Sequence, residues 1–141
     1  MTLNINLLVI IILMAIYHLK FQNKIEKQFF GKYFNHNLIR RPNDKCIYMS
    51  NKDCLGMPSG HAEVVSLILF IFYFNKIIPL WVCLLVISIV SMQRVLKNKH
   101  TFIQVIIGAL FGYIYAFIYN YFNLSIYGFI IVLLIGIILT L

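Results

Sequence analysis

Apolar residues fall into five runs, 3–19, 62–74, 77–95, 101–121 and 124–141, and this pattern constrains the fold more than any other feature. A run of about 17–25 apolar residues is long enough to cross a bilayer. Within hydrocarbon, only a helix or a closed barrel satisfies its own backbone, and runs of this length fit helices. Of the 141 residues, 62% are hydrophobic and 11% are charged, against roughly 25% charged in soluble domains. The expected fold is therefore all-α, a polytopic membrane bundle of about five transmembrane helices, with four as the alternative. A single integral-membrane domain spans 1–141. Residues 3–19 form the first span, 20–60 an interfacial helix and a loop, and 61–141 four further hydrophobic spans. The run 62–74 is short and crosses only with tilt, bilayer thinning or burial among its neighbours.

The first run has no basic residue before it and several after it, the reverse of a secretory signal, so it reads as a retained anchor. In 20–38, Phe21, Ile25, Phe29 and Tyr33 recur at i+4 while Lys20, Lys24, Lys27 and Lys32 add charge. That pattern fits either a helix lying among lipid headgroups or an ordinary amphipathic connector. The formal charge of +8 favours anionic lipid or a phosphate-bearing substrate over nucleic acid, for which no soluble domain is left. Lys and Arg number eight in 20–60 and three in 94–100, against Lys76 alone on the opposite face. The positive-inside rule puts the heavily charged face in the cytoplasm.

Of three cysteines, Cys83 lies in an apolar run and reads as a core residue. Cys46 and Cys54 share the polar loop and can pair only in an oxidising compartment. His18 and His36 read as interfacial or loop residues.

Three polar clusters converge on the charged face: Arg40-Arg41-Pro42, Pro58-Ser59-Gly60-His61, and Arg94 with His100. Arginine offers a permanently charged fork that matches phosphate oxygens. Ser59 and Gly60 precede an apolar run and open a helix, whose first amides suit an oxyanion. Two histidines supply a nucleophile and a proton donor. No Asp/Glu/His set has metal-ligand spacing, so neither a metal nor another cofactor is expected. His100, Gln104, Gly108 and Gly112 recur every four residues along one helical stripe. The two glycines read as a close-packing face within the monomer, with dimerisation as the alternative.

Arg41-Pro42, Pro58-Ser59-Gly60-His61 and Arg94-x5-His100, followed by Val105, Gly108 and Gly112, resemble the type 2 phosphatidic acid phosphatase family, relatives of bacterial acid phosphatases and vanadium haloperoxidases. The resemblance covers about 32–112. It implies a metal-independent hydrolase of lipid phosphates or polyprenyl diphosphates, acting through a phosphohistidine. His100 would be the nucleophile and His61 the general acid. Arg41, Arg94, Ser59 and Gly60 would bind phosphate, together with Lys32 if it replaces the family lysine, whose register falls on Phe34. Gln93 stands where the family has serine. Gln104 occupies the position of an aspartate that orients the nucleophile; its amide can fix the tautomer but brings no charge. The alternative is a weakened or inactive relative that binds phosphate or lipid headgroups, in which Gln104→Asp would restore turnover. Glu63 is a remote candidate for the missing carboxylate, because it lies two residues from His61 and faces another side of the helix. The family places its site outside the cytoplasm, opposite to the charge count.

Overall fold

The structure is a computed structural model that describes residues 5–33, 36–42 and 54–122. Helix α1, Ile5–Tyr17, passes through a π-helical turn, His18–Gln22, into α2, Asn23–Tyr33. A short α3, His36–Ile39, leads to the loop, and then come α4, Gly60–Phe74, α5, Leu80–Leu96, and α6, Phe102–Tyr121. Among the described residues the only strand-like pairing is an isolated antiparallel bridge between Arg40 and Leu55. The fifth run, 124–141, lies outside the described residues.

Local chemistry explains the helix boundaries. Thr101 caps α6 through a capping box: its hydroxyl accepts from Gln104 N while Gln104 Oε1 accepts from Thr101 N. Pro79 precedes α5, where a missing N–H does no harm. The chain leaves α4 and α5 through left-handed residues, Lys76 at φ 57° and Asn98 at φ 49°. Asparagine tolerates that conformation better than most residues. Asn98 N bonds Val95 O and Lys99 N bonds Arg94 O, so the turn folds tightly and returns His100 towards the end of α5.

Two helical stretches are long and apolar enough to cross a membrane, Leu8–Tyr33 and Phe102–Tyr121. The interfacial helix expected over 20–38 is thus not a separate element: 23–33 continues the first helix. Its polarity is inverted relative to a soluble protein. Asn23 and Glu26 are buried while Phe29 and Tyr33 are exposed. At 15 and 17 residues, α4 and α5 are about 22 and 25 Å long, shorter than a hydrocarbon core of about 30 Å.

The core joins Ile10, Met14 and Tyr17 of α1 to Leu67 and Ile71 of α4 and Ala116 of α6. A second cluster of Phe30, Ile39 and Met57 seats the loop against Ile107 and Phe111. The densest contact is between α4 and α6, and the two glycines make it possible. A Cβ at Gly108 would lie 2.5 Å from Ser59 O, and one at Gly112 would overlap the Glu63 carbonyl and lie 2.8 Å from Leu67 N. The close-packing reading of these glycines within one chain therefore holds. Ser66 Oγ donates to Ala109 O at 2.7 Å along the same seam.

Because backbone atoms cannot yield as a side chain can, Gly112→Ala is expected to destabilise the protein by about 1–3 kcal/mol. Gly31→Ala is the matched control, since its new methyl would meet only the Leu55 side chain, at 3.3 Å. Unfolding midpoints in detergent should fall for the first variant and stay or rise for the second.

Candidate functional site

The first motif is held by backbone pairing. Arg41 N donates to Cys54 O at 2.9 Å and Gly56 N to Ile39 O at 2.6 Å, so 39–41 lies along 54–56. The second motif is tied to the third, where Ser59 N donates to Gln104 O at 3.1 Å. The Met57–Pro58 peptide bond is cis, and Ser59, fully buried, precedes the first turn of α4. The first-turn amides of a helix have no intrahelical acceptor, which leaves this end suited to an anion.

His100 is buried, and its Nδ1 lies 2.9 Å from Gly56 O. A carbonyl only accepts, so Nδ1 carries the proton and Nε2 keeps its lone pair. Burial, followed by the positive charge of Arg41, pushes the imidazole down to about 4; Arg94 adds to this, while the Gly56 bond and nearby Gln104 oppose it. The ring is therefore neutral at pH 7, the form a nucleophile requires.

Gln104 is 0% exposed, and its amide is committed to the backbone. Nε2 donates to Leu38 O at 3.0 Å and to Arg40 O at 2.7 Å, and Oε1 accepts from Thr101 N at 3.1 Å. His100 donates Nδ1–H to the Gly56 carbonyl, and Gln104 bears on the ring both directly, as a polar neighbour, and through the loop it pins. Gly56 itself has to be small, because a Cβ there would lie 2.5 Å from Gln104 Oε1.

Three polar atoms beside these motifs, Arg41 Nε, Arg94 Nε and Ser59 Oγ, are buried with no hydrogen-bond partner among the described residues. The fourth such atom, Glu26 Oε2, is an acceptor and belongs to a separate polar cluster. His61 is exposed in the first turn of α4, and the charges of Arg94, Lys27 and Arg41 all bear on its ring.

Lys32 is not brought into this group: it is exposed, with Nζ 5.3 Å from the centroid of the neighbouring Tyr33 ring. Lys27, one and a half turns earlier, lines a cavity together with Arg41. Glu63 does not serve either histidine of the site. It is 0% exposed, and its two oxygens meet His18 Nδ1 at 2.8 Å and Asn23 Nδ2 at 2.9 Å. His18 is accordingly a buried hydrogen-bond partner of Glu63 rather than an interfacial residue. Beside it, Gln22 Nε2 donates to Glu26 Oε1 and Tyr115 OH, and Tyr115 OH donates to Glu26.

Sequence reasoning missed Gly56 and Lys27. Gly56 sits in a segment, Leu55-Gly56-Met57-Pro58, that reads only as a chain breaker, and Lys27 is one of several lysines on its helix. A signal for the role of Gln104 was present: Thr101-x-x-Gln104 is a capping-box pattern.

Together the three motifs bring Arg41, Ser59 and His100 to one end of a helical scaffold, tied by the Arg41–Cys54, Ser59–Gln104 and His100–Gly56 contacts. The PAP2 superfamily model matches residues 5–127, most of the chain, and the protein belongs to that superfamily. Phosphatase or phosphoesterase activity is general in the superfamily, which makes this a hydrolase-type protein. No curated protein and no solved structure matches the chain.

The network predicts how Gln104→Asp will behave. The shorter carboxylate cannot donate to Leu38 O and Arg40 O, and each buried carbonyl left unpaired costs about 1–3 kcal/mol. The variant is expected to unfold at lower temperature and to lose activity rather than gain it. A variant as stable as the wild type and faster would show that the aspartate fits after all.

Proposed function

We propose that this protein is an integral-membrane phosphatase that hydrolyses a phosphate or diphosphate ester of a lipid through a phosphohistidine on His100. The observation that carries this reading is the trio of unpartnered buried donors, Arg41 Nε, Arg94 Nε and Ser59 Oγ. Buried donors without acceptors are costly, and a phosphoryl group would supply acceptors to all three.

In the first step Nε2 of neutral His100 attacks phosphorus as the bond to the ester or bridging oxygen breaks. The leaving oxygen takes a proton from His61. Nδ1–H stays on Gly56 O, so positive charge builds on the ring without rotation. In the second step water attacks phosphorus and returns a proton to His61; the P–N bond breaks, and phosphate leaves. The two arginines and the α4 amides stabilise the equatorial oxygens, where charge gathers in the transition state. No step calls for a metal.

A membrane location is supported by large exposed side chains on the outer faces of α5 and α6: Trp81, Leu85 and Ile89, then Phe102, Ile106 and Leu110. Apolar area of this extent faces lipid more readily than water. Cys54 is disulfide-bonded whereas Cys83 is free, which favours an oxidising, extracytoplasmic compartment for the site despite the charge count.

Gln104 motivates one competing reading, a phosphate- or headgroup-binding relative without turnover, since no carboxylate balances the imidazolium formed during attack. Phosphate release from lipid phosphates and diphosphates by the purified protein, in detergent with a chelator, separates the two. Activity is expected, with His100→Ala reducing it to background; a silent wild type would favour the binding protein. The pH profile gives a second check. Unprotonated His100 is required, so kcat/KM should hold as pH falls below 6.5 and drop only near 4. The same group contributes stability that is complete above pH 6.5 and lost as pH falls towards 4. Sidedness can be tested with a membrane-impermeant maleimide on intact cells. Cys54 should react only after a reductant is added, and labelling that instead needs permeabilised cells would put the site in the cytoplasm.

A further inference from the structure

Both backbone polar atoms of Ser59 are engaged, and only its hydroxyl is left over. The N–H donates to Gln104 O at 3.1 Å, and the carbonyl accepts from Glu63 N at 3.0 Å. At the other end of the Pro58–Ser59 peptide, the Pro58 carbonyl accepts from Asn23 Nδ2 at 3.4 Å. A peptide unit is planar. Gln104 of α6 on one side and Asn23 of α2 on the other therefore fix its orientation and, through it, the direction of Ser59 Oγ. That hydroxyl is buried and has no hydrogen-bond partner among the described residues.

Asn23 has the chemistry for this task. It is 5% exposed, and its amide nitrogen serves Glu63 Oε2 at 2.9 Å as well as Pro58 O. Two acceptors call for two N–H bonds on one nitrogen; a carboxylate or a leucine offers none, and a hydroxyl only one. The same amide lies against the next residue of the motif, because a Cβ at Gly60 would come within 3.0 Å of Asn23 Cγ and Oδ1. Glu63 is held in turn by His18 Nδ1 at 2.8 Å. His18 and Asn23 are five residues apart, a spacing that on an α-helix points them to different sides. The π-helical turn His18–Gln22 has an i→i+5 repeat, which brings both onto the one carboxylate.

We propose that Asn23 is a positioning residue for the phosphate site: it aims Ser59 Oγ and the first-turn amides of α4, and the π-helical turn, His18 and Glu63 hold it there. The inference rests on the hydrolase reading above, in which those groups receive the phosphoryl oxygens. It makes the N-terminal helix part of the frame of the substrate site as well as a member of the bundle.

The test uses the purified full chain in neutral detergent and compares wild type, Asn23→Ala and Gln22→Leu. Gln22 belongs to the same polar group, but its hydrogen bonds are to Tyr17, Glu26 and Tyr115 rather than to the turn 58–60, so it is the matched control for lost stability. Titration calorimetry with orthophosphate reads the turn without requiring turnover. KM for phosphate release from a short-chain phosphatidic acid reads it during the reaction. Asn23→Ala is expected to raise both the orthophosphate Kd and KM about tenfold. Gln22→Leu should lower the unfolding midpoint and leave both constants unchanged. A merely structural Asn23 would lower the midpoint and the active fraction, and with it the apparent kcat, while Kd and KM stay at wild-type values. That result would overturn the proposal, and so would a Gln22→Leu variant whose Kd rises as far as that of Asn23→Ala. Should Asn23→Ala fail to fold, Asn23→Ser, which keeps one donor, is judged by the same two constants. Weakened orthophosphate binding in the variant, with no release from lipid by wild type, would retain the positioning role and remove the hydrolase reading. Release by wild type with Kd and KM unchanged in the variant would do the reverse.

Discussion

The site depends on how closely two helix backbones approach. Without side chains at Gly108 and Gly112, α6 lies directly on the Ser59–Leu67 stretch of α4. That contact lets Ser59 N bond Gln104 O, and so it joins the second motif to the third before any catalytic side chain is considered. In lipid such packing is favoured for a further reason. Helices gain no hydrophobic drive from one another there, so van der Waals contact and buried hydrogen bonds hold them together.

The first motif is attached by Gln104. One amide reaches Leu38 O, Arg40 O and Thr101 N, three backbone groups on two segments. An aspartate would provide charge for His100 but could not bridge two carbonyls. The neutral amide therefore exchanges electrostatic support of His100, the proposed nucleophile, for a rigid loop. The Gly56 carbonyl fixes the His100 tautomer instead, and burial, aided by the adjacent arginines, keeps the ring unprotonated. Precise placement is itself a large part of catalysis, since phosphoryl transfer relies mainly on positioning and on stabilised charge.

A second polar group, directly beside the Pro58–His61 motif, joins the long N-terminal helix to the bundle. His18 and Asn23 hold Glu63 on α4, and Gln22 and Glu26 reach Tyr115 on α6. The π-helical turn lies where these contacts begin, and such turns are often found at functional positions. The cluster explains why α2 turns Asn23 and Glu26 inward while Phe29 and Tyr33 face outward. It also carries Lys20, Lys24 and Lys27 to the cavity they line with Arg41, since they share a helix with the anchoring residues.

The sequence alone determined the helical class and the three motifs with their order, because bilayer-length apolar runs admit few folds and the motif spacings reflect helix ends. It also pointed to the glycine seam, whose four-residue period is visible in one dimension. What it left undecided were contacts between distant segments. That Lys27 rather than Lys32 stands beside Arg41, and that Glu63 faces His18, depend on how α2 is rotated, which local pattern does not specify. The role of Gly56 depends on a carbonyl, and backbone acceptors carry no residue code. For Gln104 the primary structure showed only an amide where a carboxylate was expected, whereas the tertiary structure shows three hydrogen bonds that call for an amide at that position.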